Sequence, residues 1–398
     1  MRAIVSREQP RSRAFRGTGN LDLVGDYIVL AGTGKGVELS AQDNAWLRRQ
    51  AIGWSLPRAA GTLAATLAEI EFVQADPIQA PARAQDLVLR QRVRGYRVGD
   101  LDRHYPALDL DEDVLYAYGF VARRLRPYLH PRRDRRAPDG KFVLTDRFAD
   151  VLAFVRERGV VHPRDLQSHF GHQRVTNDWG GQSSATTLDL ERLRHHGFLR
   201  VVDRIAGQRR YEVAPPLGDP IDPADRLRTL VLRVARTLAP VSESSLGAAV
   251  SHLAAGLRPP GGRPGGRPVV RELLARGELA AVNVAGTRYV WPADLVPVEA
   301  DPPARVRFLA PFDPVVWDRR RFAEAWGWEY RFEAYTPAAK RVRGYYAMPL
   351  LWRDRVIGWA NCAGGEVEVG YVDNAPTGAT YAKALDAEID RLRTFLRG

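Results

Sequence analysis

The stretch SSATTLDLERLRHHGFLRVVDRIAGQRRYEVA, residues 183–214, contains a helical pattern followed at once by a strand pattern. Gly197 is typical of the residue that follows a helix C-terminus, and the alternation around 206–208 predicts a two-stranded hairpin. Two further helices are predicted upstream, at 146–157 and 160–171. The order helix, helix, helix, hairpin is that of a winged helix, a variant of the DNA-binding helix-turn-helix.

The same order recurs in the next part of the chain. Helices are predicted there over 225–239 and 242–254. A glycine-rich loop at 258–268, a third helix at 269–277 and a final hairpin at 278–291 follow. Two copies of one pattern in succession predict tandem winged helices. The alternative for each copy is a winged helix with a structural or protein-binding role.

A weaker copy precedes these two. The residues from Ser40 to Asp43 resemble a capping box that opens a helix over 41–54, and two more helices are predicted over 59–70 and from Pro81 to about Val93. After residue 297, alternation with many aromatic residues predicts a mainly β region closed by a helix over 380–396. We therefore predict an α+β chain of tandem winged-helix domains followed by a mainly β C-terminal domain. The predicted ranges are an extension at 1–37, a first winged-helix-like domain at 38–145, winged helices at 146–220 and 221–297, and the C-terminal domain at 298–398.

Composition points to a nucleic-acid partner. The chain has 398 residues and a net charge of +12, and arginine supplies 55 of its 59 basic residues. Arginine pairs with phosphate through two parallel hydrogen bonds, so this excess favours DNA binding. A GC-rich genome is the alternative explanation for the same excess. A single cysteine, no apolar run of membrane-spanning length and no secretory signal predict a cytoplasmic, nucleoid-associated protein.

Two weak motifs are interpreted without a ligand. GTGKG at 32–36 lacks the spacing of a phosphate-binding loop, so it is interpreted as an ordinary loop. The four histidines and the lone, distant cysteine do not have the spacing of a metal site. The histidines are His169, His172, His195 and His196. We expect neither a metal nor a cofactor.

The candidate catalytic motif is Gln74-Ala75-Asp76, which Pro77 follows directly. A residue before proline is disfavoured in a helix, so the pair is expected in extended backbone, where positions i and i+2 project to one side. A carboxylate can orient or deprotonate water, and an amide can hold the same water. The pair therefore predicts a water-positioning site ahead of a helix that begins with Pro81 in its first turn. The structural alternative is that Asp76 caps this helix and Gln74 satisfies a loop.

Candidate DNA-binding residues come from three places: the region after the motif, the third helix of the 146–220 domain, and its wing. They are Arg83, Arg90, Arg92, Thr187, Arg192, Arg194, Arg204, Arg209 and Arg210.

Three blocks in order resemble the winged-helix DNA glycosylases that unhook interstrand crosslinks, the YcaQ or AlkX type and their AlkZ relatives. The first is the Gln-x-Asp triplet followed by Arg83, although Gln85 and Asp86 stand where the family usually has two histidines. The others are LAPFDPVVWDRRR at 309–321 and EYRFEAYTPAAKRVRGYYAMPLL at 329–351. The resemblance covers about residues 40–398.

The resemblance implies a monofunctional DNA N-glycosylase that excises N7-alkylated purines, including bulky adducts or interstrand crosslinks. Gln74 and Asp76 would place a water for attack on an oxocarbenium-like sugar, and the motif has no lysine for lyase chemistry. Its partner would be duplex DNA carrying alkylated bases, bound by a monomer away from any membrane. The alternatives are a non-catalytic tandem winged-helix regulator or architectural protein, and a degenerate glycosylase that binds lesions without cutting.

Overall fold

The computed structural model describes residues 21–24, 27–30, 37–39, 44–56, 60–134, 137, 139–176, 180–257 and 266–398, the first three ranges by their backbone alone. The GTGKG loop and the residues Ser40 to Asp43 lie outside the described residues. The chain is a mixed α and β structure with several small sheets. Near the N-terminus are β1 (Leu21–Val24), β2 (Tyr27–Leu30) and β3 (Val37–Leu39).

The first unit combines short helices with a three-stranded antiparallel sheet. Its elements are α1 (Asn44–Ser55), α2 (Leu63–Ile70), β4 (Phe72–Gln74), α3 (Ala84–Leu89), α4 (Asp100–His104), β5 (Leu110–Val114), β6 (Tyr118–Ala122) and α5 (Arg126–Leu129). The sheet order is β4–β6–β5, so the β5–β6 hairpin pairs with β4 through β6.

This unit differs from the prediction around its third helix. The sequence predicts an extended loop before that helix, and the structure has a strand there, β4, which takes its hydrogen bonds from β6. The helix itself, α3, is shorter than the predicted span from Pro81 to Val93. Its N-cap is Arg83, in extended backbone, so Pro81 precedes the helix and is not in its first turn. At the other end the chain leaves the helix, and Val93 forms a bridge to Gly61.

The second unit has the predicted order of three helices and a hairpin. Its elements are α6 (Asp146–Arg158), α7 (Pro163–Phe170), β7 (Arg174–Thr176), β8 (Gln182–Ser184), α8 (Ala185–His195), β9 (Leu199–Ile205) and β10 (Gln208–Val213). The small β7–β8 hairpin before α8 was not predicted. The β9–β10 turn has φ of +48° at Ala206 and +78° at Gly207, the left-handed backbone of a tight hairpin.

The third unit repeats this order with an interrupted second helix. Its elements are α9 (Pro223–Thr237), β11 (Val241–Ser242), α10 (Glu243–Ala249), α11 (Ser251–Leu257), α12 (Arg267–Ala275), β12 (Leu279–Val284) and β13 (Thr287–Pro292). The single helix predicted over 242–254 is split at Val250, whose ψ is 0°. The β12–β13 turn matches the earlier one, with φ of +47° at Ala285 and +78° at Gly286. In this sheet, ordered β11–β13–β12–β3, the N-terminal β3 pairs parallel to β12.

The C-terminal region has one antiparallel sheet, ordered β14–β15–β16–β17. Its elements are β14 (Val306–Phe308), α13 (Pro314–Trp317), α14 (Arg319–Trp326), β15 (Met348–Trp352), β16 (Arg355–Ala363), β17 (Glu366–Tyr371) and α15 (Ala379–Arg397). The segment over α13 and α14 is helical although the sequence predicts β structure there. Asp313 and Asp318 cap these helices, because their carboxylates accept backbone N–H groups of Val315 at 3.1 Å and Arg320 at 3.2 Å.

The terminal helix α15 packs back onto the first unit. Glu388 of this helix is fully buried and accepts hydrogen bonds from the Gln91 side chain at 2.9 Å and the Phe308 backbone at 3.0 Å. It also forms an ion pair with Arg90, from which 298 positions separate it in the sequence. One carboxylate thus joins the end of the chain to the segment that follows the candidate motif. Among the described helices, none has the combination of length and apolar character needed to cross a membrane.

Candidate catalytic site and DNA-facing arginines

The Gln-x-Asp motif lies at the C-terminal end of β4, the strand that the chain enters directly after α2. Glu71, between these two elements, has left-handed backbone, with φ of +56°. Gln74 is the last residue of β4 and pairs with Gly119 of β6. Ala75 continues the ladder by one bond, since its N–H donates to the carbonyl oxygen of Tyr118 at 3.0 Å. The motif is therefore anchored on a sheet before it reaches Asp76.

Asp76 is held by the backbone beyond the proline. Its Oδ1 accepts the N–H of Ile78 at 2.9 Å, which closes a local turn, and its own N–H contacts Oε1 of Gln85 at 3.5 Å. Burial raises the pKa of Asp76 above its usual range, although the Ile78 N–H acts in the opposite direction. Asp76 thus caps a turn and not α3, and its carboxylate is more basic than a surface aspartate, which suits a group that takes a proton from water.

Gln74 lines a cavity of about 140 Å³ between the first and third units. Aromatic rings of Trp54, Tyr116 and Phe312 contribute to its wall, together with Arg233 of α9. The Oε1 atom of Gln74 is buried and has no hydrogen-bond partner among the described residues. A buried acceptor of this kind is costly unless it finds a donor, so the amide is available to a substrate or a water.

Gln85 and Asp86, at the two positions where the family usually has histidines, form hydrogen bonds that stabilise the segment around the motif. Gln85 contacts the Asp76 backbone, as described above. Asp86 is fully buried and accepts hydrogen bonds from the Tyr96 hydroxyl at 2.7 Å, the Gly99 N–H at 3.2 Å and Nε of Arg83 at 3.3 Å. Both substitutions are therefore accommodated by hydrogen bonds within the first unit.

Arg83, a predicted DNA-binding residue, is committed to two carboxylates. Besides Asp86, its Nη2 pairs with Oδ2 of Asp102 at 2.6 Å, and its side chain keeps 22% of its exposure. A phosphate near Arg83 would have to compete with both acids.

Arg90 and Arg92 have internal partners. The Arg92 side chain is 2% exposed and binds Asp313 through two parallel bonds, of 2.7 and 3.0 Å. The Arg90 side chain is 4% exposed and pairs with the buried Glu388. This arrangement argues against the predicted DNA contacts of both residues, because each guanidinium is enclosed and already paired with a carboxylate.

The β9–β10 hairpin of the second unit is tied to the first unit through Glu112 of β5. The Glu112 carboxylate is 1% exposed and accepts bonds from Nη2 of Arg204 at 2.6 Å and Nε of Arg209 at 2.8 Å. The Tyr118 hydroxyl donates to the same carboxylate. Burial favours a higher pKa for Glu112, but Arg209 and Arg204 lower it below its usual range. Arg204 and Arg209, two of the predicted DNA-binding residues, thus fasten the β9–β10 hairpin to the β5–β6 hairpin, which pairs with the motif strand β4.

The remaining candidates of the second unit differ in exposure. Arg194 is 9% exposed and pairs with Glu191 at 3.0 Å, so its predicted DNA contact is disfavoured in the same way. Arg210 of the wing is 33% exposed and pairs with Asp203. Thr187 is half-buried on α8. Arg192 is 37% exposed, with a long ion pair of 3.5 Å to Asp134 and its guanidinium 5.3 Å from the Phe148 ring centroid, and it is the most exposed arginine of this predicted set.

The histidines form no evident metal centre. Within the described ranges, no group of three or more His, Cys, Asp or Glu side chains is arranged to hold a metal ion. His196 contacts the carbonyl oxygen of Arg132 at 3.2 Å through Nδ1, and His169 lies against Phe154 with ring centroids 4.6 Å apart.

Tyr346, at the end of the longest family block, is a candidate site residue that the sequence analysis missed. It is 4% exposed, and its hydroxyl has no hydrogen-bond partner among the described residues. Burial, Tyr330 and the negative charge of Asp76 together raise its pKa well above the usual range. The C-terminal region therefore contains a buried, unpartnered hydroxyl on which the charge of Asp76 acts. The sequence signal for this residue is the pair of tyrosines at 345–346, which lies within the block that resembles the family.

Comparison with known proteins identifies the class. A sequence profile described as DNA glycosylase AlkZ-like matches residues 67–395. The structure of Streptomyces sahachiroi DNA glycosylase AlkZ matches with a TM-score of 0.55 at 16% sequence identity, covering 91% of this chain and 98% of that one. The protein is thus a DNA repair enzyme, a DNA glycosylase. The chain belongs to the AlkZ-like family, and this membership does not support the alternative of a non-catalytic DNA-binding regulator.

Proposed function

We propose that this glycosylase excises N7-alkylated purines, including bulky adducts and interstrand crosslinks, by water attack on an oxocarbenium-like sugar. The observation that carries the proposal is the Gln74–Asp76 pair. Asp76 is fixed by Ile78 and has a raised pKa, and two residues away the Gln74 amide oxygen has no partner among the described residues.

The chemistry of the leaving group fits such a site. An N7-alkylated purine is cationic and leaves as a neutral base, so the enzyme needs no strong general acid. It needs negative charge near the sugar, where positive charge develops, and a water held on the face of the sugar opposite the departing base. The Asp76 carboxylate supplies the charge and accepts the proton of the water, and the Gln74 amide orients that water.

We also infer that tandem winged helices form the DNA-binding surface. The second and third units share the order of helices before a hairpin, and each hairpin turns on an Ala-Gly pair in left-handed backbone. We infer winged-helix domains at 146–220 and 221–297, a related domain at 38–145 that carries the motif, and a C-terminal domain at 298–398. The units then bind the duplex mainly through its phosphates.

We predict that N7-alkylguanine is released much faster than uracil from matched duplexes. Uracil leaves as an anion, so its departure requires groups that stabilise negative charge on the base, and a carboxylate at Asp76 does the opposite. The measurement is multiple-turnover base release from two duplexes that differ only in the single modified base. A third duplex with a crosslink extends the comparison to bulky lesions. Equal or faster uracil release would refute the proposed chemistry and leave the fold untouched.

We also predict salt-sensitive binding to duplex DNA without strong sequence preference. Each phosphate that a cation neutralises releases counterions, so the logarithm of the affinity falls linearly with the logarithm of salt concentration. Arg192→Ala should reduce that slope by about one phosphate contact, because Arg192 is exposed and weakly paired.

The matched control is Arg393→Ala, an equal change of charge on α15, where the side chain is 45% exposed. Titration of fluorescent duplexes at several salt concentrations gives both slopes. If both variants change the slope equally, α8 is not the DNA-facing element.

A further inference from the structure

Two arginines of α9 line the cavity that contains Gln74, and the DNA contacts proposed above do not include them. They are Arg233 and Arg236, which lie one helical turn apart. A second depression, of about 500 Å³ on the third unit, is lined by the same two arginines and by Arg228. The two depressions therefore adjoin at Arg233 and Arg236, and cationic side chains lie along a path that leads to the candidate motif.

Glu71, which directly precedes β4, holds one of these arginines beside the motif strand. Its carboxylate is 4% exposed and pairs with Nη1 of Arg233 at 2.7 Å and with Nη2 of Arg124 at 2.6 Å. A carboxylate has a single negative charge, so it cannot neutralise two guanidinium groups. The side chains of Arg233 and Arg124 are 33% and 55% exposed, and both can therefore still meet an anion that arrives from solvent.

The other arginine, Arg236, is held by a weaker partner. Its side chain is 32% exposed and pairs with Asp294, whose side chain is 71% exposed. An ion pair in water contributes little, so a phosphate can displace Asp294 at small cost. Glu69, the remaining carboxylate among the residues that line the Gln74 cavity, is also exposed, and water and salt screen its charge.

We propose that Arg233 and Arg236 bind the phosphate groups that flank the lesion nucleotide and so hold its sugar at the Gln74–Asp76 motif. The inference rests on the proposed function of that motif. Guanidinium groups bind phosphate oxygens through paired N–H donors, and Arg124 adds positive charge to the same place. The ligand is the phosphodiester backbone and not a base edge, so the site positions the strand without selecting its sequence.

The first test is binding to an undamaged duplex at several salt concentrations. Arg233→Gln and Arg236→Gln should each reduce the slope of log affinity against log salt by about one phosphate contact, and the double variant by about two. The matched control is Arg393→Gln on α15, where the side chain is 45% exposed, and its slope should equal that of the wild type. Loss of a purely structural ion pair would lower stability and leave the slope unchanged.

The second test places the contact at the lesion. Neutral methylphosphonates replace the two phosphates that flank a single N7-methylguanine, and single-turnover base release is measured at limiting protein. Release by the wild type should fall roughly 10-fold on this duplex, because charged hydrogen bonds are lost. The double variant should be slow on the ordinary duplex and lose little more on the modified one, since both changes remove the same contact.

Unchanged salt slopes in both single variants, or losses that add fully between the double variant and the modified duplex, would overturn the inference. Arg236→Gln keeps the test decisive even if Arg233→Gln fails to fold, because the partner of Arg236 is exposed. If the wild-type protein binds DNA and releases no base, the proposed function fails instead, while the salt slopes still decide whether the two arginines bind phosphate. The two failures are therefore distinguishable.

Discussion

Asp76→Asn is expected to lower base release from N7-alkylated DNA by roughly 10²–10⁴-fold while duplex affinity stays near that of the wild type. The change keeps the shape of the side chain, and the amide oxygen can still accept the Ile78 N–H that now bonds to Oδ1 at 2.9 Å. It removes the negative charge that supports the sugar and the base that takes a proton from water. Single-turnover release and a separate binding titration on the same duplex measure the two effects.

Two further variants serve as comparisons for this result. Asp109→Asn makes the same chemical change at a carboxylate that is 74% exposed and pairs with Arg123 at 3.3 Å, so its release should match the wild type. Gln74→Ala should cost less than Asp76→Asn, because a neutral amide only orients the water. Near-wild-type release by Asp76→Asn would end the catalytic assignment of Asp76.

Asp313→Ala is expected to destabilise the protein by about 3–5 kcal/mol, because it leaves the Arg92 guanidinium buried without its partner. Both side chains are 2% exposed or less, and Asp313 also caps α13 through the Val315 N–H at 3.1 Å. Chemical denaturation of the two proteins measures the free energy of unfolding. Replacing both partners, with Arg92→Met and Asp313→Leu, should recover much of the loss, since no buried charge then remains unpaired.

The control for this pair is an exposed one. Arg276 is 51% exposed and pairs at 3.7 Å with Glu272 of α12, which is 65% exposed, so Glu272→Ala should cost less than about 1 kcal/mol. If Asp313→Ala costs no more than this control, Arg92 is solvated and its predicted phosphate contact becomes tenable again.

Local signals predicted the elements that depend on nearby residues. The turns at Ala206-Gly207 and Ala285-Gly286 lie where alternation breaks, and the structure has hairpins at both places. The helices α6, α7 and α8 follow helical periodicity in the sequence. These features depend on backbone preferences and apolar spacing within a few residues, which a single sequence contains.

Distant partners could not be predicted in the same way. The strand β4 has only three residues, and its hydrogen bonds come from β6, more than 40 positions later. Arg92 looked like a DNA ligand because its neighbours are basic, but its partner Asp313 is 221 positions away. Arg204 and Arg209 are predicted to contact DNA because they lie on the predicted wing hairpin, but Glu112 of the first unit accepts hydrogen bonds from both.

The candidate site was half predictable. The pair Gln74 and Asp76 stood out because Pro77 follows directly and because the triplet resembles a family signature. Tyr346 is 270 positions beyond Asp76, and only in the folded chain does the charge of Asp76 act on its buried hydroxyl. Such a residue becomes visible from its buried, unpartnered hydroxyl, which is a property of the folded chain.

The ion pair between Glu388 of α15 and Arg90, directly after α3, joins two residues that are synthesised at different times. Arg90 leaves the ribosome 298 residues before Glu388, which at about 5–20 residues per second is a delay of roughly 15–60 s. Throughout that interval the motif is already translated, while Arg90 lacks the carboxylate of Glu388. The ion pair that joins α15 to the segment after the motif therefore forms only once α15 has been synthesised, and a product truncated before Glu388 lacks it.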